Sequence, residues 1–217
     1  MKLVSCVHHF FEQYLPRIKG YGANTIKAYR DAFSLFLPFA RDTLGVPINS
    51  LQLEQLTPEL IVDFLGWLEK ERGNSARTRN HRLAAIQSLA KMILYKHPEK
   101  GDIAGKILNI PCKRYHRNII GFLNQEEILT VLESVNLKSA QGFRDYTILN
   151  LLFDSGARAS EVATLNLDYF DPQQKTLMIL GKGDRFRMIT LWPKTVDLLS
   201  RYIEKYRTCW ANFASEK

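Results

Sequence analysis

The sequence predicts a mainly α protein. An all-helical N-terminal domain leads, across a basic linker, into a mostly helical second domain with a small antiparallel β-sheet. Three observations predict this. Apolar residues recur every three or four positions through much of the first half. That period lapses in a proline-containing, basic stretch over residues 109–121. Further on, two short β-prone segments, "KTLMIL" and "RFRMITL", flank the turn-forming "GKGD".

The elements follow in order. "NTIKAYRDAFSLFLPFARDTL" places Ile26, Tyr29, Phe33, Phe36, Leu37 and Ala40 on one apolar stripe. Asn24 or Thr25 suits its N-cap. "LTPELIVDFLGWLEKERG" opens with Thr57 as cap and Pro58 in the first helical position, and Gly73 closes it. "NSARTRNHRLAAIQSLAKMILYKHP" puts Leu83, Ile86, Ala90 and Ile93 on one face, with Pro98 past the end. A short helix is expected near residues 99–108. The linker carries Pro111, Lys113, Arg114, His116 and Arg117, with no apolar period until Phe122. The expected division is therefore 1–108, 109–121 and 122–217. In the second domain Asn124 with Glu127 suits a capping box. Helices are expected over about 143–153 and 160–165, with Gly156 ending the first. Asp171-Pro172 starts the turn into the first strand, and Pro193 starts a last helix.

Composition narrows the function classes. Thirty Lys and Arg against 22 Asp and Glu leave a net charge of +8, which favours a polyanionic partner, most often nucleic acid. Cys6, Cys112 and Cys209 are too few and too scattered for a disulfide framework or a zinc site, and suggest structural roles in a reducing compartment. His8-His9 has no carboxylate or cysteine cluster beside it and reads as a surface pair, so no metal site is expected. No apolar run approaches the roughly 18 residues of a membrane span. "MKLVSCVHHFFEQY" does not fit a signal peptide. A cytoplasmic protein without membrane contact is expected.

Two places could carry chemistry. Arg158 sits in "FDSGARASEV", on a turn between two helices. A guanidinium held there presents a bidentate fork to a phosphate. Equally, it could pair with Asp154 or Glu161 and simply tie the turn. Lys182 falls at the tip of the "GKGD" hairpin. It suits a general acid towards a leaving oxygen or a phosphate contact, or it is merely a solvated tip. "GKGD" is not a phosphate-binding P-loop, because the spacing and the following helix are wrong.

Taken together, "SGARASEVATLNL" and "GKGDRFRMITL" resemble the tyrosine recombinase (integrase) family. There a "TGxRxSEL" turn carries a catalytic arginine and a "GKGxKxRxxPL" hairpin carries a catalytic lysine. "ANTIKAYRDAFSLFLPFA" and "GNSARTRNHRLAAIQSLAKMI" resemble the core-binding domain of Xer-type and mobile-element integrases. The resemblance implies a four-helix-type, SAM-like core-binding domain, then the first half of the catalytic domain. It implies that Arg158 clamps the scissile phosphate, Lys182 protonates the departing 5′-oxygen and Glu161 buttresses the arginine turn. It implies double-stranded DNA as partner, self-association on DNA in a tetrameric synapse, and neither cofactor nor small-molecule substrate. Ser155 and Thr190 depart mildly from the pattern. The larger departure is that all five histidines precede Arg158, so the family's His-x-x-Arg box has no match here, and Tyr202 and Tyr206 come too early for its nucleophile. Those two tyrosines read as packing or surface residues, and the chain reads as stopping within the catalytic domain. Exposed apolar surface is then expected where further helices would pack.

The DNA-binding surface is expected on several elements. Arg77, His81, Ser88, Lys91 and Tyr95 lie opposite the apolar face of their helix, with Arg79 and Arg82 flanking. Thr25, Lys27 and Arg30 lie near the start of the earlier helix. Lys113, Arg114 and Arg117 add the linker, and Arg187 the hairpin. The alternative is a solvated charged face. Two other functions stay open: a catalytically inactive DNA-binding module, and a helical interaction protein without a DNA role.

Overall fold

The computed structural model describes residues 1–116, 121–181 and 183–207. The chain forms two compact units, Met1–Asn118 and Ile119–Lys217.

The first unit is helical throughout: α1 Leu3–His9, α2 Ala23–Leu44, α3 Pro58–Lys70, α4 Ala76–Lys96 and α5 Gly101–Leu108. Its core centres on Phe10, Phe36, Phe64, Leu65, Leu83 and Ile86, each fully buried. Thr57 caps α3 as expected, its Oγ1 accepting from the Leu60 amide at 3.2 Å. Ser75 does the same for α4, from Thr78 at 3.3 Å.

Three expectations for this unit change. Neither Asn24 nor Thr25 caps α2. The helix begins at Ala23, and extended Gly22 precedes it without a side-chain cap. The first turn closes on the Gly22 carbonyl, which accepts from the Thr25 and Ile26 amides at 3.0 and 3.2 Å. Ser88 does not join the polar face of α4: it is 8% exposed. A helical segment at the N-terminus went unforeseen. α1 continues into a π-helical stretch, Phe10–Ile18, where the Lys19 amide closes on the Tyr14 carbonyl at 2.9 Å. Leu3, Cys6, Val7, Phe10, Tyr14 and Leu15 supply its buried side.

The second unit contains α6 Gln125–Glu133, α7 Ala140–Ser155, α8 Ala159–Val162, β1 Phe170–Asp171, β2 Thr176–Leu180, β3 Phe186–Thr190 and α9 Pro193–Lys205. Asn124 and Glu127 form the expected reciprocal cap of α6, at 2.7 and 2.9 Å. α7 starts earlier than expected because Ser139 caps it, accepting from Gly142 at 3.0 Å. α8 is one short turn, ending before the expected 165. The sheet is antiparallel in the order β1-β2-β3, with Leu177 opposite Ile189 and Ile179 opposite Arg187. β1 was not foreseen, since two residues carry no alternation to read. Asp171 Oδ1 accepts from the Gln173 and Gln174 amides, both at 2.9 Å, which makes the turn into β2.

Leu177 and Ile179 point inward and join Leu151, Leu191 and Val196 in a small core. A pocket of about 310 Å³ has partly buried Ile148, Leu152, Val162 and Leu165 among its walls. Tyr206 stacks on Phe143 at 4.5 Å between ring centroids, a packing role as expected. Among the described residues no helix is long and apolar enough to cross a membrane.

Candidate active site

Arg158 is fixed from both sides. α7 ends on Gly156 in the left-handed conformation, φ 59°, and the Gly156 amide bonds the Leu152 carbonyl at 3.0 Å. The Ala157 amide then bonds Ser155 Oγ at 3.1 Å. Arg158 follows in extended conformation as the N-cap residue of α8. Its backbone amide donates to Glu161 Oε2 at 2.9 Å, one half of a capping box. Its side chain donates from Nη1 to Glu161 Oε1 at 2.8 Å yet remains 71% exposed. Asp154, the other partner considered for it, instead accepts from the Trp192 amide at 2.8 Å.

Glu161 is the centre of this arrangement, although its side chain is only 7% exposed. Arg187 reaches it from β3 with two parallel bonds, Nη1 to Oε1 at 3.1 Å and Nη2 to Oε2 at 2.8 Å. Among the described residues the carboxylate thus accepts four hydrogen bonds, which matches its roughly four lone-pair sites. The Arg187 bonds, then the Arg158 amide, hold its pKa down at about 2. Arg187 sits on the inward face of the sheet, opposite fully buried Ile179. Gly181 lies beside the pair: a Cβ there would lie 3.4 Å from Arg187 Nη1 and 3.8 Å from Glu161 Oε1. The two motifs of the second unit therefore meet at one ion-pair cluster. Lys182, next in the chain after Gly181, lies outside the described residues, as do Arg117 and Cys209.

The expected DNA-binding residues of the first unit divide into two groups. Thr25, Lys27, Arg77, His81, Lys91, Tyr95 and Arg114 are exposed. Others make contacts within the unit, though Arg30 and Lys113 keep side chains 60% and 54% exposed. Arg30 lies 3.5 Å from Glu12 and 5.6 Å from the Phe11 ring. Arg79, 12% exposed, faces Glu69 at 3.8 Å. Lys113 Nζ reaches the same carboxylate at 2.8 Å. Arg82 Nη1 donates to the Ala28 carbonyl at 3.2 Å, joining α4 to α2. In the second unit, Arg187 has its guanidinium on Glu161.

Two structural positions were missed by sequence reasoning. Asn80 brackets the Lys113 backbone, donating to its carbonyl at 2.7 Å and accepting from its amide at 3.0 Å. Gln87 Nε2 lies within 3.4 Å of the carbonyls of Ile107, Leu108 and Ile110. These amides hold the start of the expected linker against α4. Their only sequence signal is an uncharged amide seven residues from another on the otherwise basic side of a helix. Cys6 is buried in the core as expected of a structural cysteine, whereas Cys112 is exposed. His9 Nε2 lies 3.2 Å from Lys96 Nζ, and no cluster that could hold a metal occurs among the described residues.

A helical domain followed by a mixed domain with an anchored arginine turn defines a class, and the comparisons agree with it. Residues 9–96 match the phage integrase N-terminal SAM-like domain, and residues 121–216 match the phage integrase family. The chain belongs to this family of tyrosine recombinases. It is 32% identical to the integrase/recombinase y4rC of Sinorhizobium fredii, over 94% of this chain and 61% of that one. It is 28% identical to the tyrosine recombinase XerD of Staphylococcus aureus, over 90% of this chain and 64% of that one. The chain thus spans about three-fifths of the length of these curated relatives. Its fold is shared with the XerH recombinase bound to palindromic difH substrate, with TM-score 0.62 and 22% identity over 93% of this chain and 61% of that one. It is also shared with the Tn1549 transposon integrase in complex with a circular intermediate DNA, with TM-score 0.61 and 16% identity over 92% and 65%.

Proposed function

We propose that this chain binds double-stranded DNA and carries the phosphate-clamping part of a tyrosine recombinase site, serving site-specific recombination or integration. The observation that carries this reading is Arg158: an exposed guanidinium on a rigid turn, its base anchored by Glu161. A phosphate that gains charge in a pentacoordinate transition state is stabilised by such a preorganised fork. Glu161 sets the geometry of the turn, and Lys182 supplies the proton to the departing 5′-oxygen. Exposed Thr25, Lys27, Arg77, Lys91 and Arg114, with Arg117, supply phosphate contacts that give affinity rather than sequence information. Subunits associate on the DNA. Residues 1–217 hold no histidine beyond His116 and so no match to the family's later His-x-x-Arg box, and these residues by themselves are expected to bind DNA without cleaving it.

The test is a pair of assays on the purified chain. Gel shifts should weaken steeply as salt rises. A nicked suicide duplex, which traps covalent protein–DNA adducts, should yield none. Absence of DNA binding at low salt would sink the reading, and a trapped adduct would overturn the division of labour.

A further inference from the structure

Glu161 presents an electrostatic problem. A carboxylate beside Arg158 could take the whole guanidinium fork and cancel its charge, leaving little for a phosphate. In the structure it takes only Nη1 of Arg158, plus the backbone amide. The remaining capacity of both its oxygens is filled bidentately by Arg187. One arginine therefore neutralises the carboxylate, and the other keeps most of its five N–H donors and a side chain 71% exposed.

The geometry points to Arg187 as a positioning residue: it occupies Glu161 so that Arg158 keeps a charged, open fork for an oxyanion. This rests on the reading of Arg158 as the phosphate clamp. Three placements support it. Arg187 is a charged residue on the inward face of β3, in line with buried Ile179, where an aliphatic side chain would pack. Gly181 lies beside its guanidinium, where a Cβ would make ordinary contact with Nη1 at 3.4 Å. A planar guanidinium covers both carboxylate oxygens with two parallel hydrogen bonds, a geometry that a lysine ammonium does not match. Among the described residues, removing Arg187 leaves a nearly buried anion with Arg158 as its remaining cation. Arg158 then closes onto Glu161 with both ends of its fork.

Reactivity of Arg158 towards phenylglyoxal, followed by peptide mass spectrometry on the intact chain, reads this directly and needs no DNA. In the parent chain Arg158 should react quickly. In Arg187→Gln it should slow several-fold, because its fork is occupied. In Arg187→Gln/Glu161→Gln the rate should recover, since no carboxylate remains to hold it. A merely structural role for Arg187 predicts no such recovery. Arg187→Lys should slow Arg158 by a smaller factor, because an ammonium keeps the charge but not the two parallel bonds of the fork. If near-UV circular dichroism shows Arg187→Gln unfolded, Arg187→Lys decides alone. Unchanged Arg158 reactivity in the folded variants overturns the proposal. Gel shifts of the parent chain separate the two readings. A chain that fails to bind DNA loses the phosphate-clamp function, while the reactivity pattern still reports whether Arg187 holds the fork open.

Discussion

Gly181 lies against Arg187, where a Cβ would fall 3.4 Å from Nη1, and 3.3 Å from the Arg185 carbonyl oxygen. The tighter of the two approaches is to the Arg185 backbone, and the one to the guanidinium is an ordinary contact. Gly181→Ala should cost about 1 kcal/mol, the lower end of the range for inserting a methyl group into a packed site. The cost should shrink in an Arg187→Ala background, because one of the two contacts is gone. Denaturant unfolding of the four members of this double-mutant cycle measures the coupling. Strict additivity would mean that Gly181 answers only to the backbone at Arg185.

Asn80 is expected to hold the first residues after α5 against α4, through its two bonds to the Lys113 backbone. Asn80→Ala removes both and should destabilise the first unit by about 1–2 kcal/mol. The more specific expectation is local. Amide exchange at Lys113 should accelerate, and trypsin should cut sooner after Arg114, with α4 still protected. Unchanged exchange at Lys113 would show that Gln87 alone suffices for the attachment.

Much of this architecture was legible before the structure, and the failures have physical causes. Two caps announced themselves: Thr57, and Asn124 with Glu127, act where their types and spacing place them. Gly156 ends α7 because a left-handed residue is needed at that corner. The N-terminal segment was missed because its buried residues run through a π-helical stretch, whose wider turn departs from the 3.6-residue period. Ser88 was placed on the polar side by its type, but small side chains are readily buried at close helix contacts. For the site, the pairing of Arg158 with Glu161 could be anticipated from a spacing of three residues. The Arg187 bond to Glu161 could not, since it spans 26 residues and depends on how the hairpin packs on α8. Likewise, nothing in the spacing of basic residues along α4 separates exposed Arg77 from Arg79, which Glu69 engages from α3.

Acid should destabilise the fold partly through two carboxylates. Glu161 is held at about 2 by Arg187 and Arg158, and Glu54 at about 2 by Lys100 at 2.7 Å, with the N-terminal amine at 3.3 Å. Both folded values lie below the ordinary 4.5. The folded state therefore binds fewer protons than the unfolded state in this range. Each group's contribution is complete above pH 4.5 and is lost as pH falls towards 2. Glu161→Gln should flatten the stability profile in that window and leave its slope near neutrality unchanged. Glu54→Gln should do the same, with a smaller effect at high salt because Glu54 is 44% exposed. Urea midpoints measured across the pH range check both, and an unaltered acid slope in Glu161→Gln would exclude it as a contributor.

The basic residues of the first unit should separate into two behaviours when replaced. Lys27, Arg77 and Lys91 are exposed, and removal of any one should weaken duplex binding about equally for all sequences. Each loss should reduce the slope of log affinity against log salt by about one phosphate contact. Folding stability should change by less than about 0.5 kcal/mol, as usual for surface substitutions. Arg79 and Arg82 should behave differently. Arg79 faces Glu69 at only 12% exposure, and Arg82 ties α4 to the Ala28 carbonyl of α2. Alanine at either site should lower the unfolding midpoint, with the salt slope much less affected. Fluorescence anisotropy over a salt series, paired with urea titrations, distinguishes the groups. Equal salt slopes for Arg77→Ala, Lys91→Ala and the parent chain would remove α4 from the DNA interface. A full unit lost in Arg79→Ala would show instead that its guanidinium leaves Glu69 for a phosphate on binding.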